Sequence, residues 1–116
     1  MATIRIKNLR LRTIIGIQKW ERDEKQDVII NIEFDYNSLR AVKSDKITDA
    51  IEYKALTKTI ITRVESSNFY LIEKLTKTIL DIVLKQKGAK RAVVRVDKPF
   101  ALRFADSVSC ELSSEK

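Results

Sequence analysis

The stretch Val28-Ile29-Ile30-Asn31-Ile32-Glu33-Phe34-Asp35-Tyr36 decides the fold. Side chains alternate along a strand, so Val28, Ile30, Ile32, Phe34 and Tyr36 share one face, opposite Asn31, Glu33 and Asp35. That pattern predicts a long antiparallel strand with one dry face and one wet face. Upstream, Ile4 and Ile6 alternate with Arg5 and Lys7, then Leu9 and Leu11 with Arg10 and Arg12. The apolar parity flips at Lys7-Asn8, which predicts a first strand carrying a bulge or bend. Thr13-Ile14-Ile15 continue that strand and Gly16 permits a turn. The segment Gln18 to Lys25, polar apart from Trp20, reads as a connecting loop, and the whole makes a long hairpin.

Downstream of a short helical turn expected around Ser38 to Val42, the period changes. Leu56, Ile60, Ile61 and Val64 fall on one stripe of a helix predicted from about Tyr53 to Glu65. Ser66-Ser67-Asn68 break it. A second helix follows, with Leu71, Ile72, Leu75, Ile79, Ile82 and Val83 inward, and Gly88 ends it. Two last strands are predicted over about Ala89 to Asp97 and Phe104 to Leu112, joined by a loop at Lys98 to Arg103. The order is ββααββ: two helices on one face of a four-stranded antiparallel sheet, an α+β architecture. One domain spanning residues 1–116 is expected. Such a sheet leaves two outer edges, and long strands with a single proline point to edge pairing between subunits in a ring oligomer.

Composition removes whole classes of chemistry. There is no histidine and one cysteine, Cys110, so the usual zinc and transition-metal sites lack ligands. Ser-His-Asp and Cys-His catalysis are excluded on the same ground. No metal or cofactor is expected, and any reaction must rest on Lys, Glu, Asp, Tyr or Ser. Cys110 fits a reducing cytoplasm, and on the inward parity of the last strand it reads as a small core residue. No apolar run approaches a membrane span, and the charged N-terminus does not resemble a signal peptide. The net charge of +7 invites a nucleic-acid reading. Its densest excess, at Arg5, Lys7, Arg10 and Arg12, has no interleaved aromatics for base stacking. A solvated basic face accounts for it better, and a pocket for a phosphorylated metabolite, which would also need several cations, is a third reading.

Several polar residues sit at element ends. Glu21 lies in the first loop after Trp20, Gln26 begins the second strand and Tyr53 opens the first long helix. Glu73 falls in the first turn of the second long helix, where it could answer the helix dipole and pair with Lys77. Lys98 stands on the face of Ala92, Val94 and Val96, at the mouth of the third strand, just before Pro99. Proline cannot donate to a ladder, so the strand should end there. An amine at the rim of a core is a candidate acid–base group; the plain alternative is a lysine whose stem covers the sheet edge while its head reaches water.

Taken together, these positions resemble the dihydroneopterin aldolase and dihydroneopterin triphosphate epimerase family. The resemblance runs from Ile4-Arg5-Ile6 to about Leu112. Its most specific pieces are Gly16-Ile17 followed by Trp20-Glu21 and Gln26, Ser44-Asp45 leading to Tyr53, Phe69-Tyr70-Leu71-Ile72-Glu73, and Lys98-Pro99. Arg5 to Thr13 and Ala101 to Ser109 look more like the epimerase branch, whereas Pro99 beside Lys98 is the aldolase-like version of that turn. The resemblance implies the tunnelling fold, tetrameric rings stacked as a homo-octamer, and active sites between neighbouring subunits. It gives Glu73 the anchoring of a pterin, Ile72 backbone contacts, and Tyr53 packing on the ring from a neighbouring subunit. Lys98 matches the general acid–base lysine and Glu21 a carboxylate near the hydroxylated side chain of the substrate. Arg103, in the turn after Lys98, is our candidate for holding a triphosphate.

The activity implied is epimerisation at C2′ of 7,8-dihydroneopterin triphosphate, giving 7,8-dihydromonapterin triphosphate in pterin and folate-related metabolism. The alternative is the aldolase reaction, which yields 6-hydroxymethyl-7,8-dihydropterin and glycolaldehyde. A non-catalytic basic oligomer binding nucleic acid, and a tunnelling-fold oxidase or cyclohydrolase, are the readings from other classes. The expected partners are a small pterin and further copies of the chain, with neither nucleic acid nor membrane.

Overall fold

The computed structural model describes residues Met1–Lys116. Strand β1 (Ala2–Thr13) is followed by a short helix α1 (Lys19–Asp23), strand β2 (Gln26–Tyr36), and helix α2 (Leu39–Ser44) with a 3-10 turn at Ile47–Asp49. Helices α3 (Tyr53–Glu65) and α4 (Ile72–Leu84) come next, then strands β3 (Ala89–Pro99) and β4 (Ser107–Glu115). All neighbouring strands run antiparallel in the order β1-β2-β3-β4, so β1 and β4 are the edges. Helix α3 packs on β1 and α4 on β3 and β4, covering one face of the sheet. This is the ββααββ, α+β layer arrangement that the alternation and the helical stripes predict. No helix is long and apolar enough to cross a membrane.

The covered face supplies the core. Val28, Ile30, Ile32 and Phe34 of β2 are buried with Ala92, Val94 and Val96 of β3. Leu56, Ile60 and Val64 of α3 close over them at four-residue spacing, as do Leu75, Ile79 and Val83 of α4. The β1 parity flip is a register shift between Ile6 and Leu9, with Asn8 at φ +55. The Asn8 N–H donates to the Asn31 side-chain oxygen at 3.0 Å, and the Asn31 amide donates back at 3.2 Å. Asparagine tolerates that left-handed backbone and supplies the local partner at once. At the other end of β1 the buried Thr13 hydroxyl donates to the Val64 carbonyl at 2.7 Å, satisfying an acceptor at the C-terminus of α3.

The open face carries ion pairs. Glu33 accepts from Arg5 and from Arg91, each at 2.9 Å, and Arg91 also lies 3.4 Å from Asp35. Hydrogen bonds from Arg91, then from Arg5, hold the Glu33 carboxyl below its usual range. Arg12 pairs with Asp27 at 3.2 Å. Two of the four N-terminal cations are therefore already matched by carboxylates on β2.

Four expectations are corrected. The segment after Gln18 is not all loop: Lys19–Asp23 is helical, though too short to show an apolar stripe. The short helix around Ser38 runs further, over Leu39–Ser44, and ends on Asp45 in the left-handed region at φ +57. Leu71 is exposed and precedes α4 rather than packing inward from it. Strand β4 begins at Ser107, not Phe104, because the loop closes only where Phe100 donates to the Asp106 carbonyl and Pro99 faces Ser107. Phe104 is consequently in that loop and 94% exposed. Cys110, opposite Val96 on β4, is half-buried.

Candidate active site

Glu21 is the third residue of α1 and is buried despite its charge. One carboxylate oxygen accepts the Gln18 backbone N–H at 3.1 Å. The other accepts from the Gln26 side-chain amide at 3.1 Å and from the Lys98 ammonium at 2.7 Å. Burial by itself pushes this carboxyl up and is the largest single influence. The donors from Lys98, Gln18 and Gln26, with the lysine charge, together outweigh it and hold Glu21 below its usual range. Gln26 also donates to the Ile15 carbonyl at 2.6 Å, so the residue that orients Glu21 is itself held.

Gly16 makes this arrangement possible. It sits at φ +131, and a Cβ there would lie 2.2 Å from the Glu21 carboxyl carbon. The carboxylate thus occupies the space that any other residue would fill with its side chain.

Lys98 reaches the same point from the opposite side of the chain. It is the penultimate residue of β3, on the face of Val94 and Val96, paired with Val108 on β4. Its side chain is 12% exposed. The end of the core thus presents one carboxylate and one ammonium, in contact, to a cleft of about 200 Å³. Gly16, Ile17, Ala101 and Val108 line the cleft, with Tyr70, Leu71, Ile72 and Glu73 along its other wall.

Glu73 is the second residue of α4 and is exposed. Lys77, its expected partner one turn on, pairs with Asp81 instead. Glu73 therefore faces the cleft as a carboxylate with no hydrogen bond or ion pair of its own. Leu71 offers no capping side chain at the start of α4, so the first-turn backbone N–H groups beside Ile72 have no capping acceptor there. A carboxylate and neighbouring backbone groups suit a flat heterocycle that offers parallel N–H donors.

The structure brings Lys98, Glu21, Glu73 and Ile72 together in one cleft. It does not bring Tyr53 or Arg103 there. Tyr53, at the start of α3, is 52% exposed and lies outside the cleft. Arg103 is exposed in the loop after β3, with its guanidinium 5.5 Å from the Phe104 ring. Beyond a turn at Gly16, the sequence carries no signal for what Gly16, Arg22 and Tyr70 do here, where Arg22 donates to the Gly16 and Phe69 carbonyls and lies over the Tyr70 ring. Their parts depend on which segments meet in space, and local spacing carries no signal of that.

An antiparallel four-stranded sheet covered by two helices, with a Lys–Glu pair and a free carboxylate in one cleft at its end, defines an α+β protein with acid–base groups gathered in a cleft. The family model described as FolB: Dihydroneopterin aldolase matches residues 4–113. The chain is 47% identical over 116 residues to a dihydroneopterin triphosphate 2′-epimerase of Pseudomonas aeruginosa, covering 100% of this chain and 94% of that protein. It is 48% identical over 115 residues to the Escherichia coli K12 dihydroneopterin triphosphate 2′-epimerase, covering 99% and 96%. A crystal structure of E. coli dihydroneopterin aldolase in complex with neopterin superposes with a TM-score of 0.92 at 25% identity, over 98% of this chain and 99% of that one. The chain belongs to the dihydroneopterin aldolase family.

Proposed function

We propose that this protein epimerises C2′ of 7,8-dihydroneopterin triphosphate by retro-aldol and aldol steps. The observation that carries the reading is the free Glu73 carboxylate in the same cleft as the Glu21–Lys98 pair. Identity of 47–48% to the two epimerases, against 25% to the aldolase of known structure, favours the epimerase branch.

Glu73 accepts hydrogen bonds from the 2-amino group and N3–H of the pterin, with Ile72 adding backbone contacts. The C6=N5 imine of the dihydropterin is the electron sink, so the chemistry needs no Schiff base. Loss of the 2′-hydroxyl proton lets the C1′–C2′ bond break as C2′=O forms. The bond electrons move into C6=C1′, and N5 takes up a proton to leave an enamine. Lys98, working with water, moves these protons, and Glu21 orients the hydroxyl. The enamine then attacks the opposite face of the retained aldehyde, which restores the C1′–C2′ bond and inverts C2′. If the aldehyde escapes, protonation at C1′ gives 6-hydroxymethyl-7,8-dihydropterin, the aldolase outcome. Membership in an aldolase family keeps this second reading in view.

In one chain the cleft sets Glu21 and Glu73 against Lys98 alone, and Lys98 is already paired. A triphosphate needs cations from outside it. Arg103, in the same loop as the cleft residue Ala101, is the nearest in sequence. Arg103→Ala should weaken use of the triphosphate and spare unphosphorylated dihydroneopterin; equal losses on both would reject a phosphate role. Tyr53, outside its own cleft, packs on the pterin bound by a neighbouring subunit in a ring, a stacked octamer in full. The unpaired edges of β1 and β4 support such assembly. Sedimentation of monomer alone at micromolar concentration would overturn it.

A chromatographic product assay tests the whole reading, with 7,8-dihydroneopterin and its triphosphate side by side. Conversion of the triphosphate to its monapterin form is expected. Predominant hydroxymethyl-dihydropterin from the unphosphorylated substrate would make the protein an aldolase. No conversion of either would reject the substrate class.

A further inference from the structure

We propose that Arg22 is a positioning residue that sets the width of the cleft by fastening its two walls together. One guanidinium nitrogen donates to the Gly16 carbonyl and the Phe69 carbonyl, both at 3.0 Å. The other donates to the Asn68 carbonyl, and the guanidinium lies over the Tyr70 ring, 4.0 Å from its centroid. The Gly16 N–H adds its own bond to the Phe69 carbonyl at 3.2 Å. Gly16 and Ile17 belong to the wall that carries Glu21; Tyr70, Leu71 and Ile72 belong to the wall that carries Glu73. Arg22 joins them by three carbonyls and one aromatic face.

Arginine is the residue type that can do this. Its planar fork offers five donors in fixed directions and stacks on rings, whereas a lysine ammonium is a point charge on a flexible stem. The neighbouring residue in the same helix is Glu21. One short helix thus presents a carboxylate to the reaction and a guanidinium to the opposite wall. Five residues cannot hold a helix by their own propensity, so α1 depends on such tertiary bonds. Anchoring is assigned to one wall and proton transfer to the other. A change in their separation misaligns the bound pterin with Lys98 without removing any group that touches it.

The kinetic part of this inference rests on the functional reading above; the structural part does not. The experiment compares Arg22→Ala and Arg22→Lys with the wild type by amide hydrogen exchange and by kinetics on dihydroneopterin triphosphate. Exchange at the Gly16 amide should accelerate at least about tenfold in both variants, while core amides of α4 keep their protection. Turnover should fall about 10- to 100-fold, with the affinity for 7,8-dihydroneopterin changed less than about threefold, because Glu73 and Ile72 stay on their helix. Lysine should fail to restore turnover. Unchanged Gly16 exchange, wild-type turnover in either variant, or parallel loss of protection throughout α4 would each overturn the proposal. A wild-type protein inert towards pterins would overturn the functional reading instead, and Gly16 exchange would then decide the clamp alone.

Discussion

The cleft at the end of the core and the open face of the sheet each hold a glutamate in an ion pair of nearly the same length, 2.7 Å for Lys98–Glu21 and 2.9 Å for Arg91–Glu33. Their surroundings differ. The side chains of Lys98 and Glu21 are 12% and 9% exposed, those of Arg91 and Glu33 37% and 29%. On the open face, water and salt screen the pair, and Arg5 and Asp35 are ready to replace a lost partner. At the cleft no second cation reaches Glu21, and both charges have given up most of their hydration. Removing one member of a buried pair leaves the other uncompensated. Bond length does not distinguish the two pairs; what surrounds them does.

The largest break in this comparison should come from Lys98→Ala. Turnover is expected to fall about 10²- to 10⁴-fold, the usual contribution of a positioned acid–base group, while fluorescence titration still shows pterin binding at Glu73. Near-normal turnover would remove Lys98 from the chemistry and leave it a packing residue.

A smaller effect is expected from Gly16→Ala. The new methyl group meets the Glu21 carboxylate at 2.2 Å with a backbone φ of +131. Backbone strain alone costs about 1–3 kcal/mol, so the melting temperature should fall, and a displaced Glu21 should lower turnover as well. Unaltered melting and turnover would mean that the carboxylate does not rest on residue 16.

The smallest effects sharpen the comparison through pH. Both glutamates are held below the ordinary value of 4.5. Each therefore contributes stability that is present above pH 4.5 and lost as pH falls through its lowered native value. Glu21→Gln and Glu33→Gln should each make the acid limb of a stability curve shallower. In about 0.5 M salt the Glu33→Gln difference should vanish and the Glu21→Gln difference persist, since screening reaches exposed pairs first. Equal salt sensitivity would show that the cleft pair is as wet as the other.

Much of the architecture was legible because a regular period leaves a trace in one dimension. The alternation of Val28 to Tyr36 is the buried face of β2, and the stripe of Leu56, Ile60 and Val64 gives α3 its register. Even the bulge at Asn8 announced itself as a parity flip. The α1 helix did not, because five residues hold barely one turn and tertiary bonds from Arg22 fix it. The start of β4 was misplaced because an apolar Phe104 reads as strand, whereas loop closure at Pro99 and Ser107 leaves it in solvent. At the site, Lys98 was legible as an amine at the rim of a core. Its contact with Glu21 was not, and neither was the reason for a glycine at position 16: both join segments that no local pattern connects.

That distance along the chain has a consequence for how the protein comes into being. Glu21 and Lys98 are separated by 77 positions, and the central strand pair sets Ile30 against Val96 with both long helices between them. As the polypeptide leaves the ribosome, the β1–β2 hairpin must wait with the far edge of β2 unpaired until β3 has followed. The Glu21–Lys98 pair cannot assemble before the sheet closes. Contact between Glu21 and Lys98 is thus a late event of folding, and its formation marks the closing of the sheet.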